Sequence, residues 1–222
     1  MLSPVTTERS AQTDKHEYWD KYYGTARGWL STQTVPSQFA VFCLGELSHN
    51  ARMNTLVDIA SGDGRDSIFF ARSGLNVIAI DKSAQAVDLI NRNKVQNLTA
   101  VNADILRDMG ELKVPVNGPI AYYARFFIHT LNNKELDTFF KNISSYISEN
   151  DLLFIEYRNH RDASLTKVTE PHFRAFYPSK SVRNLAQKCG LSCLYEVEGT
   201  GLAKWKEDDA SVSRQIFTKR NN

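Results

Sequence analysis

Leu56-Val57-Asp58-Ile59-Ala60-Ser61-Gly62-Asp63-Gly64-Arg65-Asp66 passes from a short apolar run, through two glycines, into a polar segment with helical spacing. This reads as a strand, a tight turn and the start of a helix over 65–73. Gly62 and Gly64 allow a sharp turn and close approach of the backbone to a ligand at the carboxyl end of the strand. A phosphate-binding loop needs Gly-Lys-Ser/Thr after four intervening residues, and a dinucleotide fingerprint needs a third small residue placed to pack the helix; Ser67 stands at that third position. Asp58, Asp63 and Asp66 would repel a pyrophosphate but attract a ligand carrying an amine and a sulfonium.

From Thr55 onward, short β-branched or apolar runs alternate with helical stretches, the pattern of a parallel sheet covered on both faces. Strands are expected over 55–60, 76–80, 98–102, 120–123 and 152–157, with a final pair over 194–198 and 212–218. Helices are expected over 84–95, where Ala86, Leu89 and Ile90 share a face, over 134–147, where Leu136, Phe139, Phe140 and Ile143 do, and over 178–189. The fold class is α/β, with seven expected strands. Asp81 ends the second strand at the distance from the glycine turn where an acid meets ribose hydroxyls in nucleoside-binding α/β folds. Asp104 follows the third strand and can accept a hydrogen bond from an exocyclic amine. The competing reading is that each acid caps the next helix.

At 222 residues and 42% apolar content, the chain can bury a full core, which excludes a disordered tail or a disulfide mini-domain. The net charge of +2 advertises neither nucleic acid nor a membrane surface. Cys43, Cys189 and Cys193 are expected as free thiols, and no metal site is expected, because Cys189 and Cys193 lack a second ligand pair. No apolar run reaches the ~20 residues of a membrane span. The default location is the cytoplasm. The first fifteen residues read as a loose arm, and the end after Lys219 as frayed.

The segment from Val57 to Ser73, with Asp81 and Asn102-Ala103-Asp104, resembles the class I S-adenosylmethionine-dependent methyltransferases. The resemblance covers 55–157, and the closing antiparallel pair is similar to that family's reversed hairpin, which implies a Rossmann-like seven-stranded sheet, mostly parallel with a reversed last strand and helices on both faces. Gly62-Asp63-Gly64-Arg65-Asp66-Ser67 looks nearest to small-molecule members of the tellurite-resistance or thiopurine type. The resemblance implies S-adenosylmethionine as cofactor, with Asp58, Ala60 and Gly62 along its methionine part, Asp81 on the ribose hydroxyls, and Ala103 and Asp104 at the adenine. Ala60 stands where the family usually has its first glycine, and Asp63 where the nearest wording has asparagine. An N-terminal helix is implied as a lid, placing Trp19, Tyr22 or Tyr23 toward the sulfonium by cation–π attraction; the alternative is that these aromatics, and Trp29, dock the arm on the core. Residues 1–54 are then arm and lid helices, and 55–222 the methyltransferase domain, with a substrate-facing insertion near 158–180.

By the same resemblance, Tyr122 to Leu131 faces the transferred methyl. His129 is a candidate general base, as is His172, with a backbone-bonded structural histidine as the alternative. Arg125 sits among aromatics and needs an anion: cofactor, substrate or an internal acid. The stretch through Arg158, Arg161, Lys167, His172 and Arg174 is either a solvated charged loop or a forked grip on a carboxylate, phosphate or phosphonate. Tyr23, Arg125, Arg158, His172 and Arg174 are therefore the candidate substrate contacts. The leading expectation is methyl transfer to a small metabolite, anionic for preference and at oxygen before nitrogen or sulfur, with no nucleic-acid or membrane partner. A nicotinamide-dependent reductase and a non-catalytic nucleoside-binding protein are the alternatives. Oligomeric state is not legible.

Overall fold

The computed structural model describes residues 15–24, 35–50, 52–111, 118–167, 172–205 and 207–220. Apart from Lys15, the expected loose arm lies outside the described residues, as do Trp29, Glu170 and the terminal Asn221 and Asn222. Two compact units divide the chain, Thr13–Tyr123 and Ala124–Asn222.

The first unit contains α1 (Lys15–Gly24), α2 (Gln38–Ser48), β1 (Thr55–Ile59), α3 (Arg65–Arg72), β2 (Asn76–Asp81), α4 (Ala84–Arg92), β3 (Leu98–Asn102) and the start of β4 (Ile120–Arg125). β1 is buried along its whole length, as its uninterrupted run predicts for an inner parallel strand. It pairs in parallel with β2, from Thr55 opposite Asn76 to Ile59 opposite Ile80, and with β4, where Thr55 meets Ile120. β3 adds in parallel to β2, with Asp81 opposite Asn102. α4 starts at Ser83, whose side chain accepts the Ala86 amide, and buries Ala86, Val87, Leu89 and Ile90. It stops three residues earlier than its periodicity suggests because Lys94, at φ 48°, leaves the helical region.

The second unit contains α5 (Asn133–Tyr146), β5 (Leu152–Arg158), α6 (Ser179–Lys188), β6 (Leu191–Gly199), a short hairpin of β7 (Lys204–Trp205) and β8 (Asp208–Asp209), and β9 (Val212–Lys219). α5 opens with a capping box between Asn132 and Glu135 and buries Leu136, Phe139, Phe140 and Ile143. β9 runs antiparallel to both β5 and β6. The strand order is β3-β2-β1-β4-β5-β9-β6, a seven-stranded, mostly parallel sheet with the expected reversed strand. The β7–β8 hairpin leaves no mark in the sequence pattern, its paired residues being too few to carry a period. Among the described residues, no helix is long and apolar enough to cross a membrane.

The strand and helix periods give no sign of α2 either. Its N-cap, Ser37, explains its place: the Ser37 hydroxyl accepts the Ala40 amide at 3.0 Å and donates to Asp66 Oδ2 at 2.7 Å, while the Ser37 amide donates to Asp66 Oδ1 at 2.8 Å. The Tyr123 hydroxyl donates to Asp66 Oδ2 at 2.7 Å. One carboxylate in the first turn of α3, where the helix dipole favours negative charge, thus fastens α2 and β4. Phe39 and Phe70 each pack on the Tyr123 ring at 5.1 Å. Asp66→Ala leaves buried Ser37 and Tyr123 donors without their acceptor, and the expected loss is about 3 kcal/mol of unfolding free energy, measurable by urea denaturation. Tyr123→Phe, which removes one donor and keeps the ring, should lose about 1 kcal/mol.

Candidate functional site

In the first unit, the turn from β1 to α3 takes three left-handed residues in five positions: Ala60 at φ 56°, Gly62 at 57° and Gly64 at 79°. Glycine adopts this conformation without strain, whereas for alanine it costs roughly 1–2 kcal/mol. The turn is held to the neighbouring strand: the Ser61 amide donates to Ile80 O at 3.0 Å and the Gly62 amide to Asp81 Oδ2 at 2.8 Å. Asp81 Oδ1 accepts the Ser83 amide at 2.9 Å. The Lys82 amide also acts on this carboxylate, so of its four lone pairs one remains for a further donor. Burial pushes the Asp81 carboxyl up, while the amides of Ser83 and Gly62 pull it down.

Asp58 is buried and accepts the Ser67 hydroxyl at 2.5 Å. Asp104 Oδ1 accepts the Leu106 amide at 3.1 Å, and its Oδ2 lies 3.5 Å from Lys82 Nζ. The Ala103 amide donates to Asp81 O at 3.1 Å. Ser61 Oγ is buried and has no hydrogen-bond partner among the described residues. A buried hydroxyl without a partner, one residue before the amide that Asp81 holds, suits a polar ligand at the end of β1.

The aromatic helix meets this turn. The Ser83 hydroxyl donates to Asp20 Oδ1 at 2.6 Å. A Cβ added to Gly62 would lie 2.5 Å from the Tyr23 hydroxyl, so Tyr23 sits directly over the glycine. Burial raises the Tyr23 phenol well above its usual range, and Asp81 and Asp63 raise it further, so Tyr23 stays a protonated donor. Trp19 stacks on Tyr23 at 6.0 Å and meets Tyr18 edge-on at 5.0 Å. Tyr23, expected on the substrate, is thus brought to the glycine turn, and Trp19 packs behind it. Gly62→Ala meets both a forbidding φ and the Tyr23 hydroxyl; it should destabilise the unit by about 1–3 kcal/mol and speed amide exchange in α1. Adding Tyr23→Phe should restore α1 protection in part without relieving the backbone strain.

In the second unit, Arg125, Arg158 and Arg214 are engaged with internal acids. Arg125 Nε pairs with Glu156 Oε1 at 2.8 Å, and Arg214 Nε with Glu156 Oε2 at 2.7 Å. Arg158 is 4% exposed; it pairs with Asp162 at 2.8 Å and with Asp208. Arg174 is buried with its Nη2 3.3 Å from His172 Nδ1. Arg158, Asn159, Asp162, His172 and Arg174 are buried and Arg161 is exposed, so most of this stretch is not a solvated loop. Arg125 and Arg158, expected as ligand contacts, each lie against internal acids, the alternative open for Arg125: buried guanidiniums need carboxylates, and Glu156, Asp162 and Asp208 stand beside them. Glu156 is detectable in the sequence, since an acid inside a fully buried strand requires a cation; Asp208 carries no signal.

Phe126 adopts φ 54°, with its amide donating to Glu156 O at 2.7 Å and the Arg125 and Arg158 guanidinium carbons 4.1 and 5.5 Å from its ring centre. His129, 3% exposed, lies in the 3₁₀ turn Ile128–Thr130. Its Nδ1 accepts the Arg158 amide at 3.4 Å, its carbonyl accepts the Ala175 amide at 2.7 Å, and its ring meets Phe126 at 5.4 Å. Burial holds its pKa well below the usual imidazole value, helped by Arg158, Arg174, His172 and Arg125. The unfolded chain takes up a proton near pH 6.5 that folded His129 refuses, so this residue's contribution to stability is lost as pH falls below about 6.5. His129→Gln should flatten that part of a stability profile between pH 7 and 5.

Known proteins share this fold. Residues 56–150 match a family model described as a methyltransferase domain. A curated relative, the tRNA N(3)-methylcytidine methyltransferase trm140 of Schizosaccharomyces pombe, is 24% identical over 127 residues, which is 51% of this chain and 41% of that protein. A TehB-like S-adenosylmethionine-dependent methyltransferase from Corynebacterium glutamicum superposes with a TM-score of 0.65 at 15% identity, covering 92% of this chain and 99% of the other. The 1,6-didemethyltoxoflavin-N1-methyltransferase of Burkholderia thailandensis gives 0.66 at 12% identity, over 99% and 95%. The superpositions extend over nearly the whole chain: it has the fold of the class I S-adenosylmethionine-dependent methyltransferases, and S-adenosylmethionine is the cofactor that this fold implies.

Proposed function

We propose that this chain methylates a small metabolite, anionic and modified at oxygen, with S-adenosylmethionine as donor. In such a transfer a lone pair of the acceptor attacks the methyl carbon, the carbon–sulfur bond breaks, and its electrons stay on sulfur as a neutral thioether. The chain's work is to bind, align and exclude water. The observation that carries the cofactor half is the Asp81 carboxylate: it fixes Gly62, keeps acceptor capacity for a ribose hydroxyl, and stands at the same turn as the unpartnered Ser61 hydroxyl. Asp58, Asp63 and Asp81 also favour a ligand with an amine and a sulfonium over one with a pyrophosphate, which speaks against the nicotinamide alternative. Asp104 and the Ala103 segment are assigned to the adenine, and Tyr23 with Trp19 to the cover of the site.

The acceptor half rests on the basic unit. His172 and Arg174 are proposed as contacts for an anionic group, while Arg125 and Arg158 shape the site through Phe126 and their carboxylates. The toxoflavin enzyme acts at nitrogen by its name; oxygen is preferred here because carboxylates and phosphates suit buried guanidinium and imidazole donors. Calorimetry tests the cofactor half. Wild type should bind S-adenosylmethionine and S-adenosylhomocysteine saturably, Asp81→Asn should weaken both about tenfold, as expected for one lost charge-assisted bond, and Asp81→Ala further, with thermal melts showing the variants folded. Absence of wild-type binding overturns the reading.

A further inference from the structure

His129 is buried, yet its two ring nitrogens stand in different situations. The Arg158 backbone amide points at Nδ1. An amide N–H can only donate, so that nitrogen is the acceptor and the proton of a neutral ring lies on Nε2. No acceptor for Nε2 is found among the described residues. The groups that oppose a positive charge on the ring are Arg158 at the end of β5, Arg174 and His172 in the segment before α6, and Arg125 at the end of β4; Glu156 pairs with Arg125, and Asp162 and Asp208 with Arg158. A second proton on the imidazole would sit among these groups without solvent to screen it.

We infer that His129 carries its proton on Nε2 and serves as a fixed hydrogen-bond donor, not a proton acceptor, so that the group it meets is an anionic oxygen. This rests on the methyl-transfer reading and narrows its substrate. A neutral hydroxyl must release a proton as its oxygen is methylated. His129 has no lone pair to take it: Nδ1 is engaged by Arg158, and Nε2 is protonated. A carboxylate, phosphate or phosphonate brings its lone pair already free, keeps its electron count without proton transfer, and accepts a hydrogen bond from Nε2. The ring is held for this by Phe126 and by the Ala175 amide on its own carbonyl.

Two-bond proton–nitrogen correlation spectra of the uniformly nitrogen-15-labelled chain report histidine tautomers directly. The chain has 5 histidines, and His129 is assigned as the signal lost in His129→Gln. Its pattern should be that of Nε2–H, unchanged from pH 6 to 8. An Nδ1–H pattern, or an imidazolium forming with a midpoint in that window, overturns the inference. With S-adenosylhomocysteine present, titration with benzoate or phenylphosphonate should shift the Nε2 resonance saturably, and benzyl alcohol should not; a response to the alcohol alone, or to none of the three, overturns the assigned substrate class. Gln offers an amide donor near the Nε2 position, whereas Asn offers an acceptor near Nδ1 and no donor beyond it. His129→Gln should therefore bind the responding anion within about threefold of wild type, and His129→Asn at least tenfold more weakly. Equal weakening in both folded variants means a structural role only. Failure of S-adenosylhomocysteine to bind strikes the methyl-transfer reading and leaves the tautomer result standing.

Discussion

Between β1 and α3 the chain reverses direction within five residues, and the Asp81 carboxylate bonds the middle of that reversal through the Gly62 amide. The turn cannot be made with ordinary backbone angles. Gly62 and Gly64 supply two of the left-handed positions at no steric cost, and the space over each is filled, by Tyr23 and Ile90 respectively. Ala60 supplies the third under strain. Because the helix starts where the turn ends, this geometry sets the place of Asp66 and hence of Ser37, Tyr123 and α2. It also leaves Ser61 Oγ buried and without a hydrogen-bond partner among the described residues. Fold and candidate cofactor site are the same set of bonds.

The second unit solves a different problem, the burial of charge. A lone guanidinium in an apolar interior costs several kcal/mol. Here Glu156 is shared by Arg125 and Arg214, and Arg158 is held between Asp162 and Asp208. Two of these guanidiniums lie over Phe126, whose own backbone is strained. Asp162 is tied further by the Ser211 amide at 2.9 Å, and the Ser211 hydroxyl reaches Asn159 at 3.0 Å. Such a network fixes directions as much as it stabilises. Burial first, and the basic groups second, keep His129 neutral, and the Arg158 amide at Nδ1 orients its ring.

These two constraints differ in how far apart their partners lie along the chain. Those of the turn are close to its strand and to the next one, 19 residues on. Those of the basic network join β5 to residues up to 58 positions away. The first kind produces patterns that a reader of the sequence can recognise; the second produces no local pattern at all. Arg125 and Arg158 resemble ligand contacts in the sequence because spacing does not identify the acids that hold them.

The sequence by itself determined the α/β class, the seven strands to within a few residues, the glycine turn and the acids at the ends of β1, β2 and β3, because burial period and left-handed turns are properties of neighbouring residues. The tertiary structure alone decided that Tyr23 covers Gly62, that Asp66 gathers Ser37 and Tyr123, that Glu156 takes two arginines, and which nitrogen of His129 carries the proton. Each of those depends on distances of about 3 Å between groups far apart in the chain, and hydrogen bonds and ion pairs at that range are set by packing.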